Sequence, residues 1–144
     1  MALEGLLSQV SLFSSLDRRA LTGLAQQASR RVYAPGETIV REGDTGTALY
    51  VIVRGRVRVE RGSGPHSAAL TELGPGDFFG ELALIEDHPR SASVVALDET
   101  ECLLFVVWEF RALLKEHPQM ALPIMNALIA RLHRAEDTRE AAEA

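Results

Sequence analysis

The clearest structural signal in the chain lies in residues 49–61, whose sequence is LYVIVRGRVRVER. Its first part is a continuous apolar run rich in β-branched residues, which predicts a buried strand over Leu49–Val53. Arg54 and Gly55 interrupt the run, and the residues after them alternate between charged and apolar. Such alternation is typical of a strand with one buried and one exposed face. We therefore expect two consecutive strands separated by a glycine.

The same pattern of short strands and glycine-containing turns continues on both sides of this pair. Turns are predicted where glycine clusters with proline or polar residues, at residues 34–37, 41–46, 62–66 and 74–77. Further strands are predicted from Val32 onward and over residues 38–40, 68–73, 92–97 and 102–107. Many short strands at roughly ten-residue spacing are typical of a β-sandwich or barrel. The pattern therefore predicts a mainly β fold.

Helices flank the predicted strands. Apolar residues recur at helical spacing within residues 1–28, and Ser15 is the expected N-cap of the second N-terminal helix. A short helix is predicted over Trp108–Glu116, and a longer one from about Gln119 to about Glu136. Residues 138–144 are expected to form a frayed tail. The chain is thus predicted to be one domain, residues 1–144, with helices at both ends.

The longer C-terminal helix carries more apolar residues than one packed face requires. The surplus is formed by Met125, Leu128, Ile129 and Leu132. An exposed apolar face of this kind usually marks a site where a partner binds. We therefore expect a homodimer that forms through this helix.

Composition argues against several classes of protein. The 144 residues are 47% hydrophobic and carry a net charge of −5. The negative charge is unfavourable for binding nucleic acid, whose phosphates are bound by basic residues. No apolar run reaches the length of about 18 residues that a membrane-spanning helix needs. The first residues include Glu4 and lack the basic residues of a secretory signal. We therefore expect a cytoplasmic protein without a membrane segment.

Metal chemistry and covalent catalysis are also disfavoured. The single cysteine, Cys102, excludes a disulfide within the chain and is expected to be a buried apolar residue. The histidines lack the close spacing of metal ligands; they are His66, His88, His117 and His133. We expect no metal and no cofactor. Because no acid–base or metal group stands out, an enzyme on a β scaffold is the least favoured class.

The candidate functional stretch is residues 78–93, FFGELALIEDHPRSAS, and its two leading phenylalanines are expected to lie in the core. Gly80 has no Cβ, so the main chain can come close to a ligand there. A helix that starts at this point would direct unpaired N–H groups at an anion. Arg90 can bind the same anion through paired donors, whereas the carboxylate of Glu81 suits a sugar hydroxyl. The stretch therefore predicts a site for a sugar and a phosphate.

Several motifs share the order and spacing of a known family. They are Pro35-Gly36-Glu37, Gly43-Asp44, Tyr50–Gly55 and the two blocks Phe79–Leu84 and Pro89–Ser93. With the flanking helices, they resemble the cyclic nucleotide-binding domain family, in which the last two blocks form the phosphate-binding cassette. The resemblance implies a jelly roll, or double-stranded β-helix, over residues 29–107. N-terminal helices at 1–28 and two C-terminal helices at 108–144 would flank it.

The resemblance also implies a role for each cassette residue. The cyclic phosphate would be bound by three backbone N–H groups and one guanidinium, those of Gly80, Leu82, Ala83 and Arg90. Glu81 would accept a hydrogen bond from the ribose 2′-hydroxyl. Ser91 would add a hydroxyl, either to the phosphate or to the base.

The implied ligand is cAMP, with cGMP as the alternative, and its binding would shift the C-terminal helices. Activators of the CRP/FNR type carry a Thr-Ser pair late in the long helix for the base, and then a helix-turn-helix domain. This chain has Ala135-Glu136 at the position of that pair and ends at Ala144. Glu136 is therefore the candidate base contact. No DNA-binding domain is expected within these residues, which form either a stand-alone sensor or part of a larger regulator. The alternative function is an interaction module of the same fold that binds another ligand, or none, and acts through protein–protein contacts.

Overall fold

The computed structural model describes residues 3–10, 12–62, 68–80, 90 and 92–143, with side chains as far as residue 133. Two helices come first, α1 (Leu3–Ser8) and α2 (Arg18–Gln27). The strands are β1 (Ser29–Tyr33), β2 (Thr38–Val40), β3 (Ala48–Arg54), β4 (Val57–Arg61), β5 (Ala68–Leu73), β6 (Phe78–Phe79), β7 (Ser93–Ala96) and β8 (Thr100–Val106). The last elements are α3 (Val107–Glu116), a 3₁₀ turn (Pro118–Met120) and α4 (Ala121–Glu143).

Within the described residues, the strands form two antiparallel sheets of four strands each. The first sheet has the order β1-β8-β3-β6, and the second has the order β2-β7-β4-β5. Strands that are distant in sequence pair with each other, as β1 does with β8 and β2 with β7. The chain therefore folds back along itself into a roll of two facing sheets. This arrangement confirms the predicted mainly β jelly roll with flanking helices.

The first sheet separates two hydrophobic cores, because successive side chains of a strand point to opposite faces. On its outer face, Leu49 and Val51 of β3 share a core with residues of the N-terminal and C-terminal helices. On its inner face, Ile52 of β3 and Cys102 of β8 share a core with residues of the second sheet. Full burial of a large apolar side chain contributes about 1.5–3 kcal/mol to stability. Strand β3 therefore contributes to both cores.

Two adjacent phenylalanines of β6 are divided between these cores. Phe78 belongs to the helix-side core, and Phe79 belongs to the core inside the roll. Both side chains are buried, which confirms that they are core residues. Phe79 stacks on Tyr50, with 4.8 Å between ring centroids and 8° between ring planes. The strand that leads into Gly80 is therefore fixed on both of its faces.

The N-terminus of α2 differs from the sequence prediction. Its N-cap is Asp17, whose carboxylate accepts a hydrogen bond from the Ala20 N–H at 2.9 Å. The predicted cap, Ser15, is an exposed residue of the preceding turn. The Ala20 hydrogen bond lowers the pKa of Asp17, and Gln119 and His117 lower it further. The Asp17 carboxylate caps α2 and also interacts with the connection between α3 and α4. These additional partners favour Asp17 over Ser15 as the N-cap.

Two boundaries of the C-terminal helices also differ from those predicted. The roll ends at Val106, and α3 begins at Val107, where the backbone N–H donates to Thr47 O at 3.0 Å. Helix α4 continues to Glu143, so the predicted frayed tail over residues 138–144 is wrong for its described part. The segment after residue 133 contains no glycine or proline and is rich in alanine, glutamate and arginine. These residues have high helix propensity, which accounts for the longer helix.

Cys102 is confirmed as a buried residue of the roll. Burial raises the pKa of its thiol to about 12, so the thiol stays protonated at neutral pH. In the part of the chain that the structure describes, no helix combines the length and apolar character needed to cross a membrane.

Candidate functional site

Gly80 ends β6 in a conformation that requires glycine. Its φ is +84°, in the left-handed region that side chains disfavour. A Cβ added there would lie 2.8 Å from the main-chain oxygen of Ala48 and 2.6 Å from Nη1 of Arg90. Both distances are too short for a real Cβ contact. Position 80 therefore requires glycine for two reasons, the left-handed backbone and the close neighbouring atoms.

The main chain of Arg90 is held by the turn that precedes β3. Its N–H donates to Asp44 O at 2.7 Å, and its carbonyl accepts from the Gly43 N–H at 2.8 Å. The predicted Gly43-Asp44 turn thus lies directly beside the second block of the candidate cassette. These two hydrogen bonds fix the position from which the Arg90 side chain starts.

The Arg90 side chain reaches across the end of β3. Its Nη2 donates to Ala48 O at 2.8 Å, and its Cζ lies 5.8 Å from the centroid of the Tyr50 ring. The same ring stacks on Phe79 from β6. Since arginine stays protonated at any physiological pH, this arrangement places a permanent positive charge beside Gly80.

Two tyrosines of the first sheet stay neutral, and one of them, Tyr50, lies near this charge. Burial raises the pKa of Tyr50, and the positive charges of Arg90 and Arg31 partly oppose the rise. Burial also raises the pKa of Tyr33, to about 12. Because the Tyr50 phenol does not ionise near neutral pH, it supplies no negative charge that would compete with an anionic ligand for Arg90.

The structure therefore brings together two of the predicted ligand-binding residues, Gly80 and Arg90, from the two blocks of the cassette. Four others lie outside the described residues: Glu81, Leu82, Ala83 and Ser91. Glu136 belongs to α4, but its side chain lies beyond those described. The ligand-binding roles of all seven residues remain predictions. Among the described residues, no three histidine, cysteine, aspartate or glutamate side chains gather as metal ligands would.

Three residues shape the site although sequence patterns gave them no role in it. They are Gly46, Ala48 and Tyr50. Ala48 acts through its main-chain oxygen, which leaves no trace in a side-chain pattern. Strand alternation places Tyr50 on the same face of β3 as Ile52. Phe79 packs in the core on that face, so alternation could have indicated that Tyr50 lies close to Phe79. Gly46 was assigned only to a turn, and its proximity to Arg90 exists only in the folded chain.

A family model described as the cyclic nucleotide-binding domain matches residues 30–117, more than half of the chain. The chain belongs to this family. The match includes all eight strands except the first residue of β1, together with α3. The resemblance inferred from the cassette motifs is therefore confirmed at the level of the family.

Individual relatives agree with the family assignment. The cyclic AMP receptor protein of Thermus thermophilus is 39% identical over 108 residues, 74% of this chain and 50% of the relative. A regulatory subunit of cAMP-dependent protein kinase from Dictyostelium discoideum is 39% identical over 104 residues, 69% of this chain and 32% of the relative. The chain thus spans half or less of the length of these curated relatives.

Solved structures show the same fold. The crystal structure of the Thermus thermophilus catabolite activator protein aligns with a TM-score of 0.79 at 34% identity, over 92% of this chain and 63% of that chain. The N-terminal domain of a Streptomyces coelicolor transcriptional regulator aligns with a TM-score of 0.76 at 31% identity. That alignment covers 93% of this chain and 94% of the other, so the two share nearly their whole length.

The close approach at Gly80 can be tested against a glycine with the same backbone strain. Gly36 has φ +86° with nothing within 4 Å of its added Cβ, whereas Gly80 has both the strain and the contacts. Gly36→Ala is expected to lower the free energy of unfolding by about 1–2 kcal/mol through strain alone. Gly80→Ala is expected to lower it further, because its Cβ collides with Ala48 O. Urea denaturation measures both losses, and equal losses would contradict the collision.

Proposed function

We propose that this domain is a regulatory sensor that binds cAMP, with cGMP as the competing ligand. The observation that carries the proposal is the guanidinium of Arg90, held against the glycine that ends β6. A fixed positive charge beside a residue that has no side chain suits a compact anion such as a cyclic phosphate. Membership of the family and the cAMP named in two relatives support the same ligand class.

The rest of the cassette completes the proposed site. The N–H groups of Gly80, Leu82 and Ala83 donate to the phosphate, and Arg90 balances its charge. Glu81 accepts from the ribose 2′-hydroxyl, which disfavours a deoxy sugar, and Ser91 donates to the phosphate or the base. Each charge-assisted hydrogen bond of this kind contributes about 1.5–3 kcal/mol.

The base contact is proposed to come from α4. Because α4 continues to Glu143, Glu136 lies within the helix and not at its end. A carboxylate there accepts from an exocyclic amino group, which both adenine and guanine carry. Glu136 therefore contributes affinity for either base without choosing between them, and the choice of cAMP rests on the relatives alone.

Helix α4 is proposed to transmit the binding signal through Arg131. The Cζ of Arg131 lies 3.7 Å from the centroid of the Phe78 ring, and the Nη2 of Arg131 donates to Phe78 O. Phe78 belongs to β6, two residues before Gly80. A ligand that draws the cassette inward changes the position of β6, and this contact carries the change to α4 as a shift of population.

A second copy of the chain is the proposed partner of α4. The exposed apolar side chains of this helix are Leu122, Met125, Ile129 and Leu132. They follow the alternating three- and four-residue spacing of a two-helix seam, which favours a homodimer. Leu128, predicted for the same face, is partly buried against the helix-side core, because it lies one turn after Ile124. The outward stripe therefore contains Leu122 in its place.

The family is a regulatory one that binds ligands and does not catalyse reactions. We propose that this chain also has no catalytic activity of its own. The exposed stripe on α4 also suits the alternative, an interaction module that binds another ligand or none. A titration of the purified protein with cAMP and cGMP separates the two functions, because the module predicts no binding. Cytoplasmic location remains a prediction.

Removing the Arg90 charge is expected to weaken nucleotide binding strongly. Arg90→Ala leaves the phosphate without its counter-charge, at a cost of about 2–5 kcal/mol, or roughly 30-fold to several thousand-fold in Kd. Calorimetric titration with both nucleotides measures the change. Arg30→Ala is the control, since Arg30 lies on β1 and pairs with Glu101 at 3.0 Å. Affinity in Arg90→Ala that equals the control would sink the assignment.

The coupling through Arg131 is expected to appear in amide hydrogen exchange. In the wild-type protein, saturating nucleotide should change exchange in both β6 and α4. Arg131→Met keeps a long, unbranched side chain but removes the guanidinium. The exchange response of α4 to nucleotide should therefore shrink, while that of β6 persists. Arg30→Met controls for the loss of an arginine. A full response of α4 in Arg131→Met would show that the signal does not pass through this contact.

The dimer is expected to depend on the outward stripe of α4. Ile129→Glu buries a charge in the proposed seam and should convert a dimer into a monomer in light scattering. Ala130→Glu places the same charge on the neighbouring exposed position and should leave the dimer intact. A monomeric wild-type protein, with and without nucleotide, would refute the dimer.

A further inference from the structure

Gly46 lies in the turn before β3, is buried, and does not adopt the left-handed backbone that favours glycine. Its backbone would therefore accept an alanine. An added Cβ, however, would lie 2.5 Å from Cζ, 2.6 Å from Nε and 2.8 Å from Nη1 of Arg90. The three nearest atoms all belong to one guanidinium. The steric need for glycine at this position thus comes from Arg90.

Gly80 also borders the guanidinium, since its added Cβ would lie 2.6 Å from Nη1. The group therefore occupies a slot bordered by two glycines, and its Nη2 donates to Ala48 O. Other glycines differ in this respect. Gly36 and Gly76 have open space around them, and the nearest atoms to Gly55 belong to Glu99 and Thr100.

We propose that Gly46 is a positioning residue for the phosphate-binding arginine, a role that rests on the proposed nucleotide function. The missing side chain lets the planar guanidinium lie in the slot with Nη1 toward Gly80. An arginine fork binds phosphate through paired donors whose direction matters as much as their charge. A guanidinium placed in advance also loses less freedom when the ligand arrives. The turn before β3 therefore sets nucleotide affinity without contacting the nucleotide.

The test is Gly46→Ala, titrated calorimetrically with cAMP. The added methyl pushes the guanidinium out of the slot, and Kd is expected to rise about tenfold. The free energy of unfolding should stay close to the wild-type value, because the collision is with a flexible side chain. Unchanged or tighter binding would overturn the proposal.

A double-mutant cycle separates positioning from simple damage to the turn. In an Arg90→Ala background, Gly46→Ala should cause no further rise in Kd, because no guanidinium remains to be displaced. In an Arg90→Lys background, the effect should be smaller than in the wild type, since lysine lacks the planar fork. An equal loss in all three backgrounds would show that the methyl distorts the turn, and the positioning role would be wrong.

A measurement without ligand keeps this inference distinct from the proposed function. The Nε–H signal of Arg90 in the NMR spectrum is identified by its loss in Arg90→Lys, and Gly46→Ala should shift it in the nucleotide-free protein. If the signal shifts but the wild-type protein binds neither cAMP nor cGMP, the nucleotide function fails while the placement of the guanidinium stands. If the wild-type protein binds nucleotide but neither signal nor Kd changes in Gly46→Ala, the positioning role alone fails.

Discussion

The structure depends most on the antiparallel pairing of β3, which lies between β8 and β6 in the first sheet. The side chains of β3 alternate between the helix-side core and the core of the roll, so the strand is held on both faces and both edges. The candidate site is built on one end of this strand. Ala48 O fixes the Arg90 guanidinium, and the Tyr50 ring lies near it. A rigid strand can hold a charge in a defined place, which a flexible loop cannot do as well.

Strand β6 connects the candidate site to the helices through Phe78, which contacts Arg131 of α4. Burial of each phenylalanine of β6 is worth about 1.5–3 kcal/mol, so neither ring leaves its core easily. The stacking of the Arg131 guanidinium on the Phe78 ring is of a type worth about 0.5–2 kcal/mol, and its hydrogen bond to Phe78 O adds to the contact. In the proposed function, a ligand that supplies several charge-assisted hydrogen bonds rearranges the arginine contact without unfolding the strand.

Helix α4 combines two surfaces of different character. Ile124 and Leu128 face the core, whereas Met125, Ile129 and Leu132 remain exposed on another side. Apolar residues cover so much of its circumference that periodicity alone could not tell these surfaces apart. The error over Leu128 follows from this, because a helix with apolar residues on several sides has no unique buried face until its neighbours are in place.

The sequence by itself determined the local features: the alternation of the strands, the glycines at the turns, the periodicity of the helices and the two cassette blocks. Each depends on residues close in the chain, so its physical cause is present in a short segment. Only the tertiary structure decided that Leu128 faces inward and that Gly46 and Gly80 both border Arg90. These contacts join segments that are distant in the sequence. They are set by the packing of whole sheets and helices, and no periodic signal in the chain encodes them.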